Sequence, residues 1–192
     1  MVDRSEVVAM RATEDLRSEH RGVVRMLRIM DRIAGSIDRG GAPDAADLAR
    51  IVDFLRIFVD TCHHSKEEEL LFPALRAEGV SSADEVIVGL LDDHVRGREA
   101  VARLDALVPE IRRGDRSAVD ELPRVLTAYT ALLYDHIVRE EADCFTVADR
   151  ELPDDVQRGL QAGYDRIERE VVGGGVHETL HALLDELEAK TA

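Results

Sequence analysis

One ten-residue pattern occurs twice in this chain, and its spacing restricts the fold more than any other feature. Residues 63–72 read HHSKEEELLF and residues 136–145 read HIVREEADCF. Both are His-x-x-(Lys or Arg)-Glu-Glu, with Phe at the same later offset. Upstream of each lies a single histidine that follows an acid, in Glu19-His20 and Asp93-His94. The intervals nearly match: 43 residues from His20 to His63, and 42 from His94 to His136.

The segments that carry these residues are helical by pattern. From about residue 5 to 38, Leu16, His20, Val23, Leu27, Met30 and Ala34 recur at helical spacing. A second stretch, 45–78, places Val52, Leu55, Val59 and Leu70 on one face. In a third, 83–113, the stripe runs from Ile87 and Leu90 through His94 and Val101 to Val108, with a bend expected at Pro109. The fourth, 117–150, aligns Leu122, Val125, Tyr129, Leu132, His136 and Glu140. Gly40, Gly41, Pro43, Gly79 and Gly114 punctuate the joins, and Ser81 and Ser82 are N-cap candidates for the third helix. Pro153 opens a shorter helix to about 171, and three glycines at 173–175 precede a last helix ending at Lys190. The expected fold is all-α: an antiparallel up-down-up-down four-helix bundle over residues 1–150. Two extra C-terminal helices, over residues 151–192, pack outside it.

In an antiparallel hairpin, two residues share a level when the turn lies midway between them. The midpoint of His20 and His63 falls at Gly41, that of Glu67 and His94 between Val80 and Ser81, and that of His94 and His136 at Asp115. Each is a turn. His20, His63, Glu67, His94, His136 and Glu140 are therefore expected in one layer of the core. Ionised carboxylates in an apolar interior cost several kcal/mol or more unless paired or metal-bound. Two facing carboxylates also repel one another. A pair of cations resolves both costs, and imidazole with carboxylate suits iron, manganese or zinc.

Bulk properties exclude other classes. The net charge of −15, the absence of Trp and a 4% aromatic content argue against nucleic acid and against anionic membrane surfaces. No stretch approaches the ~18 apolar residues of a membrane span, and the first twenty residues do not resemble a signal peptide, so a cytoplasmic protein is expected. Cys62 and Cys144 are expected as small core residues rather than a disulfide or nucleophiles. His177 and His181, one turn apart, have no placed carboxylate partner, which favours a surface or packing role. Glu68, Glu69 and Glu141 are expected on a solvated face. The glycines at 173–175 lack the Lys and Ser/Thr of a phosphate loop.

The combined pattern His20, His63-x-x-x-Glu67, His94, His136-x-x-x-Glu140, with EEELLFPAL at 67–75, resembles the hemerythrin-like, or HHE cation-binding, family. The likeness covers about residues 15–150, and HETLHALLDELE at 177–188 is similar to tails of some relatives. It implies a non-haem diiron centre, two iron ions with an oxo or hydroxo bridge. Glu67 and Glu140 would bridge them, with His20 and His63 on one iron and His94 and His136 near the other. Oxygen-carrying hemerythrins have a second histidine four residues along the third helix, where this chain has Arg98. The resemblance thus implies one histidine fewer, with water, Tyr129 or His64 filling the remaining position. His64 itself sits about 100° around an α-helix from His63, a place for a partner of Glu68 or a supporting group.

The implied function is binding of dioxygen or a related small ligand (nitric oxide, peroxide) for sensing or delivery. The alternative is a diiron enzyme acting on peroxide or nitric oxide, or oxidising ferrous iron. A metal-free or zinc-stabilised helical module that binds a partner through its C-terminal helices is the third possibility.

Overall fold

The computed structural model describes residues 11–173 and 176–192, apart from the side chains of 171, 172 and 176–178. Every regular element among them is helical. We number six helices: α1 (Ala12–Asp38), α2 (residues 45–77), α3 (Asp84–Arg112), α4 (residues 116–151), α5 (residues 154–172) and α6 (Val176–Thr191). The expected start of the first helix, residues 5–10, lies outside the described residues.

The three turns between α1 and α4 share one device. Gly40, Gly79 and Gly114 adopt φ of +90°, +72° and +81°. Each lets the chain fold back so that the next amide reaches a carbonyl of the finished helix: Gly41 to Ser36, Val80 to Leu75 and Asp115 to Glu110. Asp44 and Asp115 then cap α2 and α4, accepting hydrogen bonds from the amides of Ala46 and Ser117. The third helix differs from expectation. Ser81 and Ser82 form a short 3₁₀ turn, and Ala83 stands at the cap without a side-chain hydrogen bond. Pro109 stays within α3.

Two apolar clusters form the core. One contains Val23, Leu27 and Met30 of α1, Phe54 and Val59 of α2, Leu104 of α3 and Leu126 and Leu133 of α4. The other contains Leu16, Leu71, Phe72, Ile87, Leu90 and Phe145. Along α1 and α3 the chain passes from the second cluster to the first, and along α2 and α4 from the first to the second. Between them, on every one of these helices, lie buried histidines and acids. At roughly 1.5–3 kcal/mol per buried aliphatic or aromatic side chain, the two clusters supply the stability that tolerates this polar layer.

After α4, α5 packs on α1 and α2, and α6 on α1. Leu180, Leu183, Leu184 and Leu187 of α6 join the first cluster, and Arg25 binds Asp185 and Glu188 at its edge. No helix among the described residues is long and apolar enough to cross a membrane.

Candidate metal centre

The six residues singled out by spacing are brought together, and all are buried. Glu67 spans two helices: Oε1 lies 3.0 Å from His63 Nε2 and Oε2 lies 3.5 Å from His94 Nε2. Glu140 does the same, with Oε2 3.3 Å from His20 Nε2 and 3.5 Å from His136 Nε2. Ligand atoms of His20, His63, Glu67 and Glu140 lie within 4.8 Å of one another, and so do those of His64, Glu67, His94 and His136. Two four-residue clusters thus meet at Glu67.

His64 is the residue that helical spacing misplaces. It is buried, stacks on His94 with ring centroids 3.8 Å apart, and belongs to the second cluster. Its Nδ1 binds Asp60, not Glu68. Residues 55–64 and 67–71 are wound as π-helix, which turns less per residue than an α-helix. His63 and His64 are both buried there. Five buried imidazoles converge, and His64, one of the three groups expected for the remaining position, is among them.

The cluster fits a metal pair on its own chemistry. The Nε2 atoms of all five histidines and both oxygens of Glu67 and Glu140 are buried with no hydrogen-bond partner among the described residues. These atoms approach within 3.0–3.5 Å yet are misaligned for hydrogen bonds. Their lone pairs converge on shared points rather than on each other. Native interiors rarely leave such groups unpaired, so the set has the character of ligands. Burial and the neighbouring imidazoles hold His64 down to about 3, keeping it neutral, the form that binds metal. For Glu140 burial acts upward, but His136 and His20 outweigh it and hold the carboxyl well below the usual range.

A second layer orients the imidazoles, and it repeats with the motif. Glu19, which precedes His20, accepts from His63 Nδ1 at 2.8 Å, and Asp93, which precedes His94, faces His136 Nδ1 at 3.5 Å. Glu68 accepts from His94 Nδ1 at 2.7 Å, and Glu141 from His20 Nδ1 at 2.9 Å. Phe72 stacks on His94, and Phe145 on His20. The motif cations act on the acids: Lys66 binds Glu19 at 2.5 Å and Arg139 binds Asp93. A carboxylate behind an imidazole fixes its orientation and raises its basicity; His136 is the exception, since its Nδ1 has no hydrogen-bond partner among the described residues. The expectation that Glu68 and Glu141 are merely solvated is therefore corrected. They are only partly exposed and reach back to histidines, while Glu69 is exposed.

Arg98 lies outside the cluster, donating to Asp60 and Glu68 at 2.7 Å each. It thereby ties together the carboxylates behind His64 and His94. The His94 bond and Arg98 hold the Glu68 carboxyl at about 2. Beside them a pocket of about 100 Å³ is lined by Val59, Asp60, His64, Arg98 and Tyr129. The Tyr129 phenol is pushed up by burial and by Asp60. Cys62 and Cys144 are free and buried, and burial raises both thiols. His177 lies outside the described side chains, and His181 is exposed at the rim of a separate pocket.

The comparisons agree with this geometry. The chain is 30% identical over 141 residues to the uncharacterized protein Rv1995 of Mycobacterium tuberculosis (strain ATCC 25618 / H37Rv), covering 72% of this chain and 53% of that one. The uncharacterized protein Mb2018 of Mycobacterium bovis (strain ATCC BAA-935 / AF2122/97) is similar to the same extent. The chain spans about half the length of the curated relatives it matches. No solved structure gives a significant match. Residues 11–148 match the hemerythrin HHE cation binding domain, and the chain belongs to that family.

Proposed function

We propose that the protein holds two iron ions between α1–α4 and binds dioxygen or a related small ligand, nitric oxide or peroxide, for sensing or delivery in the cytoplasm. The carrying observation is the double cluster of unpaired Nε2 and carboxylate oxygen atoms that share Glu67. His20, His63 and Glu140 would hold one ion, and His64, His94 and His136 the other, with Glu67 between them. The alternation of the two apolar clusters along successive helices supports an antiparallel up-down-up-down bundle for residues 1–150, with 151–192 as an extension.

When bound, an iron pair supplies redox chemistry and open positions for a small exogenous ligand. The chain's own part is to aim the imidazoles, through Glu19, Asp60, Glu68, Asp93 and Glu141, and to exclude bulk water by burial. The pocket beside His64 favours a second reading, a diiron enzyme acting on peroxide or nitric oxide or oxidising ferrous iron. Its lining includes Arg98 and Tyr129, side chains of the type that can donate hydrogen bonds to peroxide.

Anaerobic reconstitution with ferrous iron, metal analysis, and absorbance on exposure to oxygen and peroxide test both readings. Two irons per chain with a reversible oxygen-dependent band support binding. Catalytic loss of peroxide supports turnover. Fewer than one iron per chain, unchanged by His63→Ala, would sink both.

A further inference from the structure

Lys66 is the middle cation of the first motif, and its side chain is entirely buried. Buried lysines need anionic partners, and this one has two. Its Nζ donates to Glu19 Oε1 at 2.5 Å and to Glu168 Oε1 at 2.6 Å. The opposite oxygen of Glu19 accepts from His63 Nδ1 at 2.8 Å. A continuous chain of polar contacts therefore runs from Glu168 through Lys66 and Glu19 to His63. Glu168 belongs to α5, beyond the 11–148 segment that defines the family match.

The seating of α5 reinforces this connection. Tyr164, one turn before Glu168, is fully buried, and its ring lies 5.6 Å from Lys66 Nζ, within cation–π range. Gly163 packs so closely on α2 that a β-carbon there would stand 2.7 Å from Leu70 Cδ1. Among the described residues, Glu19, Cys62 and Glu168 also form a third group at metal-ligand distances. The Lys66 ammonium already bridges its two carboxylates, so the cation of that group is built into the chain.

The other half of the pseudo-repeat lacks the closing partner. Arg139 occupies the place of Lys66 and holds Asp93, but its side chain is 46% exposed. Asp93 stands 3.5 Å from His136, against 2.8 Å for Glu19 and His63. The two halves of the site are supported unequally.

Resting on the metal assignment above, we propose that Lys66 and Glu168 are positioning residues: a latch through which α5 holds Glu19 against His63 and so sets metal affinity at the His20/His63 position. Cutting it frees Glu19 to turn away, and His63 loses the contact that aims Nε2 at Glu67. The loss falls on one position only, because His64 and His94 rest on Asp60 and Glu68, and His136 faces Asp93.

The test is a competitive titration of the full chain with cobalt(II) against a chelator. Anomalous scattering from crystals grown at limiting cobalt reads the two positions separately. Glu168→Gln and Lys66→Met should weaken the His20/His63 position by about 10–100-fold, the range seen when a ligand's supporting hydrogen bond is removed. The other position should keep its affinity, and Lys66→Arg should recover most of the loss. Lys66→Met strands a buried carboxylate and is the variant more at risk of misfolding, whereas Glu168 is 39% exposed and its glutamine variant keeps the shape. Wild type with two ions, and Glu168→Gln indistinguishable from it at each position, would overturn the latch alone, whether or not Lys66→Met folds. Equal weakening at both positions would also overturn it, as general destabilisation. Wild type that takes up no cobalt would overturn the metal assignment, and the latch with it.

Discussion

His64 shows what residue spacing reads well and where it stops. The pairs His63/Glu67 and His136/Glu140 follow from the i, i+4 rule because both rows lie on inward stripes. His64 does not: the rule pairs it with Glu68, whereas its Nδ1 meets Asp60 one turn earlier and its ring stacks on His94. Its burial carries a cost in the metal-free chain: Nε2 has no partner among the described residues, at ~1–3 kcal/mol for such a group. His64→Leu keeps the volume and removes the unpaired atom. It should therefore raise the stability of the metal-free protein by about 1 kcal/mol, while lowering metal uptake at the His94/His136 position. Urea unfolding without metal and metal analysis after reconstitution check the two halves of this statement. A metal-free variant less stable than wild type would show that His64 serves packing before ligation. Glu68 and Glu141 escaped sequence reading for a related reason. They sit on the flank that helical geometry calls solvated, yet a glutamate side chain is long enough to bend inward to the neighbouring helix.

At the scale of elements, turns were easier to foresee than caps. Gly40, Gly79 and Gly114 mark helix ends because each takes a left-handed φ that a side chain resists, a constraint written in residue type alone. The serines at 81–82 look equally clear as caps, but the chain spends them on a 3₁₀ turn and starts α3 from Ala83. Cap identity depends on where the preceding helix releases the chain, which no local signal fixes. Gly114 offers a clean measurement, since a β-carbon there would meet nothing within 4 Å and only the backbone resists. Gly114→Ala should cost about 1–2 kcal/mol in stability. Metal bound per folded chain should not change, because the turn lies far along the helices from His94 and His136. Thermal unfolding and metal analysis of the same sample decide it; a drop in metal content at full foldedness would mean that the turn controls the register of the layer.

For the whole molecule, the telling feature is a core divided by a charged layer. The two apolar clusters were legible as helical stripes, and the layer as equal intervals between turns, because both are periodic in sequence. The part played by α5 was not, since Glu168 and Lys66 are 102 residues apart and no repeat links them. A divided core makes stability depend on what fills the layer. Without metal, the facing carboxylates and unpaired imidazole nitrogens subtract from the stability that the clusters provide. A bound ion stabilises the folded chain by RT ln(1 + [L]/Kd), about 4 kcal/mol at a thousandfold excess over Kd. In a chain of this length ~1 kcal/mol moves the melting temperature by about 2–4 °C. Each ion should thus raise it by roughly 8–16 °C under that excess, and a chelator should reverse the rise. Calorimetry with and without ferrous iron under anaerobic conditions measures the shift. The rise should come in two steps as metal is added, because the two positions are supported unequally. A single small shift of a degree or two would mean that the layer does not close around metal and that its charges are balanced within the protein.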